Sequence, residues 1–106
     1  AITVMIGPHV SAEPEDTLKR AKGVLDLVVR REYDWTLRDI AGGNKFSSIQ
    51  GISYYENGDI KHNPDRQFIE DLDDLPFPGW SHINPGDYYS PAGDAKGDAY
   101  SVCCLK

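Results

Sequence analysis

The sequence predicts an α/β chain: part of a doubly wound parallel sheet in the order β-α-β-α, then a β-hairpin, then an irregular segment rich in proline and aspartate. Three observations carry this expectation. Residues 2–6 (ITVMI) and 25–29 (LDLVV) are short, largely apolar runs that each lead into a helical pattern, as strands covered on both faces do. Asn57-Gly58 stands between β-prone flanks, the strongest short hairpin signal. From Asn63 onward the chain has neither a helical nor an alternating period.

Each element has its own local signals. After residues 2–6 comes Gly7-Pro8, a turn, and then a helix with Pro14 at its first position, where a missing N–H costs nothing. Glu15 and Asp16 stand at the positive end of that helix dipole and Lys19, Arg20 and Lys22 at its negative end. Gly23 can close it in the left-handed conformation, and Leu18 and Ala21, three apart, mark its buried side. The second strand, 25–29, is followed by a helix expected to begin with Asp34 as its cap, to bury Leu37, Ile40 and Ala41, and to stop at Gly42-Gly43. In the hairpin, a two-residue turn sets Glu56 opposite Asp59 and Tyr55 opposite Ile60. Two strands and two helices make only part of a Rossmann-like sheet, so further strands are expected to precede Ala1 or to come from a partner. The open edge such a half sheet leaves favours self-association.

The totals narrow the function classes. With 106 residues one modest core is expected. A net charge of −6 argues against a nucleic-acid surface, which needs a basic face, and no apolar run has the roughly 20 residues of a membrane span. Cys103 and Cys104 are adjacent, where a shared disulfide is strained; their use fits a reducing, cytoplasmic setting. His9, His62 and His82 lie far apart without ligand spacing, which disfavours zinc. The run Glu70-Asp71-Leu72-Asp73-Asp74 lacks the glycine and final glutamate of a calcium loop and reads as solvated charge. Tyr54, Tyr55, Phe77, Trp80, Tyr88 and Tyr89 read as packing groups in so acidic a chain. The Gly7-Pro8-His9 turn lies where open α/β sheets bind ligands, at the carboxyl end of a strand; the plainer alternative is a simple turn with a surface histidine.

The order of four segments adds a resemblance. VMIGPHVSAEPEDTL (4–18) resembles the strand–GGPH–helix segment of the cobalamin-binding domain in one class of radical SAM enzymes. VVRREYDWTL (28–37) is similar to that family's VVRGEGE-type segment, GISYYENGDIKHNP (51–64) to its hairpin, and IEDLDDLPFP (69–78) to its connector into the radical SAM barrel. Within the class the chain looks most like the anaerobic magnesium-protoporphyrin IX monomethyl ester oxidative cyclases and their relatives. Two positions depart from the pattern: Ile6 replaces the first glycine of the turn, and Arg31 stands where a glycine is usual.

The resemblance implies a division into 1–48, the later half of a cobalamin-binding-like domain; 49–64, the hairpin; and 65–106, a linker toward a radical SAM domain. It implies cofactor contacts at Gly7, Pro8, His9, Arg30 and Glu32. It assigns no cobalt ligand to His9, because the axial histidine of other cobalamin proteins belongs to a D-x-H-x-x-G loop that this sequence lacks. An iron–sulfur cluster and S-adenosylmethionine would belong to the parent chain, whose C-x-x-x-C-x-x-C motif Cys103 or Cys104 either begins or merely precedes. Expected partners are the radical SAM barrel and the first half of the cobalamin domain. The implied activity is that of the parent: oxidative ring closure on a magnesium porphyrin ester, or a related radical oxidation or methyl transfer. No residue of this chain is expected to be catalytic by itself. The rival expectation is a non-catalytic α/β interaction module that has lost its cofactor.

Overall fold

The computed structural model describes residues 1–77 and 79–82. The described residues divide between two units, the first of residues 1–70 and the second beginning at Asp71. In the first, β1 (Val4–Met5), β2 (Leu27–Val29), β3 (Ile52–Glu56) and β4 (Asp59–His62) make one sheet in that order. β1 and β2 are parallel, Val4 beside Leu27, whereas β3 runs antiparallel to both β2 and β4. The sheet is therefore mixed, and the hairpin is an integral half of it: Val28 faces Ser53 across β2 and β3. The turn has the expected register, Glu56 opposite Asp59 and Tyr55 opposite Ile60. Asn57 and Gly58 both take positive φ, 53° and 94°, as a turn matched to the right-handed strand twist requires.

Helices cover both faces. On one, α1 (Pro8–Ala12) and α2 (Pro14–Arg20) bury Val10 and Leu18 against Leu25 and Val28, with Tyr55 and Ile60 alongside. On the other, α3 (Asp34–Ala41) and the single 3₁₀ turn Phe46–Ser48 cover Leu27, Val29, Ile52 and Tyr54 through Ile40, Leu37, Phe46 and Ile49. The alternation of β2 and β3 side chains sends Val28 to the first core and Leu27 and Val29 to the second, as the period of two dictates. This is the partial doubly wound, Rossmann-like arrangement that the sequence predicts.

Several local expectations are corrected. Pro8 and His9 do not form a turn before the helix; Pro8 is the first residue of α1, directly after Gly7. Asp34 is helical, and Tyr33 occupies the cap position without a side-chain cap. Ala41 is exposed, because α3 turns Thr36 and Ile40 inward in its place. The first strand is two residues long and is not covered on both faces. It lies at the sheet's edge, so Ile2, Met5 and Ile6 remain 40–52% exposed. The opposite edge, β4, is short and carries Asp59, Lys61 and His62, the charged character that protects edge strands from pairing.

In the second unit, the described residues contain two 3₁₀ turns, Leu72–Asp74 and Trp80–His82. Asp71 caps the first by accepting from the Asp73 N–H at 3.0 Å. Phe77, expected to pack, is 98% exposed, and the acidic residues 70, 71, 73 and 74 are exposed as expected. Tyr88, Tyr89, Cys103 and Cys104 lie outside the described residues.

Candidate functional site at the carboxyl ends of β1 and β2

Two parallel neighbours whose following helices pack on opposite faces leave a crevice between their carboxyl ends, the usual ligand position in open α/β sheets. β1 leads to α1 and the first core; β2 leads to α3 and the second. The divergence therefore falls between Gly7 and residues 30–32.

Gly7 has φ 120° and ψ 179°, a region essentially closed to residues with a side chain. Apart from its chain neighbours, no atom lies within 4 Å of where its Cβ would be. Conformation, not crowding, requires glycine here, and the backbone borders open space. Its carbonyl accepts from the Ser11 N–H at 3.2 Å and from Ser11 Oγ at 2.9 Å. The same Ser11 oxygen accepts the Arg31 N–H at 2.9 Å. One hydroxyl thus joins the end of β1 to the end of β2. Arg31 has φ 62°, a left-handed conformation that costs a residue with a side chain and suits glycine. His9 is exposed on α1.

Arg30 is turned elsewhere. Its side chain, 10% exposed, donates to Ser53 Oγ at 2.6 Å and to the Asn63 carbonyl, and pairs with Asp65 at 2.9 Å. Ser53 Oγ lies 2.8 Å from Nδ1 of His62. Arg30 Nη1 also lies 3.4 Å from that ring nitrogen. Ser53 is fully buried and its oxygen occupied, so this pair is a structural relay and not a nucleophile with its base. Arg31 pairs with the second Asp65 oxygen at 2.9 Å and lies over the Phe68 ring. Glu32 accepts the Ile69 N–H at 2.7 Å.

These contacts bind residues 63–69 as a strap across the ends of β2, β3 and β4. Asn63 Nδ2 donates to the carbonyls of Phe46 and Ile49, the Gly51 N–H donates to the Pro64 carbonyl, and Arg66 pairs with Asp39 on α3. The residues nominated from the sequence therefore divide. Gly7, Pro8 and His9 border the open part of the edge. Arg30 and Glu32 have their side chains engaged in holding the strap, and offer a ligand at most the outer surface of their loop. The donor set of Arg30 and Glu32 is spent on the chain itself.

Sequence reasoning missed Ser11, Ser53, Asn63 and Asp65, each of which has a partner far along the chain, and considered His62 only as a metal ligand. Among the described residues no group of three or more His, Cys, Asp or Glu side chains could hold a metal ion. Among them, too, no helix is long and apolar enough to cross a membrane.

Other features lie away from the crevice. A shallow groove of about 570 Å³ between α2 and the hairpin is lined by Glu15, Lys19, Lys22, Tyr55, Ile60 and His62 among others. Its charges are largely matched. Glu15 and Lys19 pair at 2.6 Å, their hydrogen bond lowering the pKa of the carboxyl and raising that of the amine, and Lys22 lies 5.7 Å from the Tyr55 ring centroid. At the entry to β1, Asp26 accepts the Thr3 N–H at 2.7 Å and its hydroxyl at 2.8 Å. These bonds, the backbone one first, hold the Asp26 carboxyl below its ordinary value.

Comparison with known proteins places these features beside one relative. Over 94 residues, 85% of this chain, it is 35% identical to an uncharacterized methyltransferase of Pyrococcus horikoshii. The chain spans about a fifth of that protein's length. No protein-family model matches the chain, and no solved structure matches it.

Proposed function

We propose that this chain is the cofactor-facing α/β segment and onward connector of a cobalamin-dependent radical SAM enzyme that transfers a methyl group. The observation that carries the reading is the parting of the chain to opposite faces at the β1 and β2 carboxyl ends, with a glycine backbone facing open space, in a chain similar to a protein named as a methyltransferase. That name favours methyl transfer over the ring closure of a magnesium porphyrin ester. A bound cobalamin would supply the methyl carrier, while the iron–sulfur cluster and S-adenosylmethionine would belong to the barrel of the longer chain.

The work of these residues is positioning. Gly7, Pro8 and His9 would border a bound cobalamin at the end of β1. Arg30 and Glu32 hold the strap that carries the chain onward, through Asp65 and Ile69. The exposed Ile2, Met5 and Ile6 support an edge of β1 covered by another α/β half of the same polypeptide, or by a second copy. A reducing, cytoplasmic setting suits this chemistry.

A second reading, the non-catalytic interaction module, draws on Arg30 and Glu32 being spent on internal contacts. The two are separated by reconstituting the full-length polypeptide anaerobically with iron and sulfide. Reductant-dependent cleavage of S-adenosylmethionine to 5′-deoxyadenosine is expected for the enzyme. No cleavage in a preparation with an intact cluster rejects it in favour of the module.

A further inference from the structure

We propose that Ser11 is the positioning residue of this crevice, holding the Gly7 backbone and the Arg31 turn in one relative geometry for the ligand. The inference rests on the reading of the carboxyl edge as a cobalamin site, and goes beyond it in naming what sets the shape of that site.

Three observations lead to it. The β1 and β2 chains part to opposite faces at this point, so no ladder hydrogen bond ties them beyond Met5 and Val28. The Ser11 hydroxyl supplies the missing tie: it donates to the Gly7 carbonyl at 2.9 Å and accepts the Arg31 N–H at 2.9 Å. Arg31 has φ 62°, a conformation that a residue with a side chain keeps only where the surroundings fix it, whereas Gly7 takes its φ of 120° freely. A hydroxyl alone does this at position 11, because it must donate and accept at once. Alanine does neither, while threonine keeps the same oxygen.

The test uses the whole 106-residue chain as wild type, Ser11→Ala and Ser11→Thr. Amide hydrogen exchange is read at Arg31, and hydroxocobalamin affinity by absorbance and equilibrium dialysis. In Ser11→Ala, the Arg31 N–H is expected to exchange roughly five- to tenfold faster, the factor one ordinary hydrogen bond allows. Protection at Leu27 and Val28 should stay as in wild type, which rules out general unfolding. Hydroxocobalamin affinity should fall by a similar factor, with a changed absorbance of the bound corrin, and Ser11→Thr should restore both.

Unchanged Arg31 exchange in Ser11→Ala overturns the tie. Faster exchange with unchanged affinity overturns the positioning role. A wild-type chain that binds no hydroxocobalamin refutes the cobalamin reading for this chain and the ligand half of the inference with it, while the exchange data still decide the tie.

Discussion

Replacing Arg30 by alanine should be among the most damaging single changes to the first unit, and the structure shows why. The guanidinium is 10% exposed and serves the Ser53 hydroxyl, the Asn63 carbonyl and the Asp65 carboxylate together. Removing it leaves the Asn63 carbonyl without that donor and creates a void beside a fully buried serine. An ordinary hydrogen bond contributes about 1 kcal/mol and one to a charged group about 1.5–3. The Asp65 share is at the low end, since that side chain is 43% exposed and keeps Arg31. The sum is about 3 kcal/mol, against a total stability of about 5 kcal/mol for a small domain. Urea denaturation followed by circular dichroism reads it: with a slope of about 1 kcal/mol/M, the midpoint should fall by roughly 3 M. Asp65→Asn, which leaves Arg30 its other acceptors, should cost only about 1 kcal/mol. An Arg30→Ala loss below about 1 kcal/mol, or an equal loss for both variants, would refute the assignment of Arg30 to the strap.

Other outcomes follow from the same geometry. Gly7→Ala should destabilise by about 1–3 kcal/mol through backbone conformation alone, since its Cβ meets no atom within 4 Å beyond its chain neighbours; a loss under about 0.3 kcal/mol in thermal melts would contradict the φ of 120°. Gly58→Ala, at φ 94°, should cost about 1–2 kcal/mol in the same assay; a smaller effect than at exposed Gly→Ala sites with negative φ would count against the turn. Asp26 gives a pH dependence. Its folded pKa lies below the ordinary value of 3.8, so its contribution is present above that value and is lost as pH falls through the folded pKa. The Thr3 amide shift should therefore titrate below pH 3.8 and become insensitive in Asp26→Asn; titration at or above that value would show that the Asp26–Thr3 contact does not form in solution.

The parts of the fold that rest on local chemistry were legible in the sequence. Asn57-Gly58 specifies its turn through two positive-φ residues, and Gly42-Gly43 ends α3, with Gly43 at φ 78°. The parallel pairing of β1 with β2 followed from two apolar runs separated by a helical pattern. What local signals could not give was the antiparallel joining of β3 to β2, because no turn connects them and nothing in either strand specifies its neighbour. The strap was illegible for the same reason. Arg30 meets Ser53 and Asp65, 23 and 35 positions on, and a charged pair in a sequence names no partner. Arg30 and Glu32 were singled out as cofactor contacts through the resemblance, but their side chains face the connector. At Gly7 the end of the strand was legible, but the helix that starts at Pro8 was not.

The central claim is that the crevice beyond β1 and β2 serves a cobalamin enzyme, and the cofactor content of the full-length polypeptide tests it most directly. The protein would be produced with cobalamin supplied, purified without oxygen, and its cobalamin counted after extraction as the cyanide complex. About one corrin per chain is expected from a single crevice of this kind, reduced in Gly7→Ala and Ser11→Ala preparations that remain folded. Folded wild-type protein that carries no cobalamin, and takes up none on reconstitution, would contradict the claim.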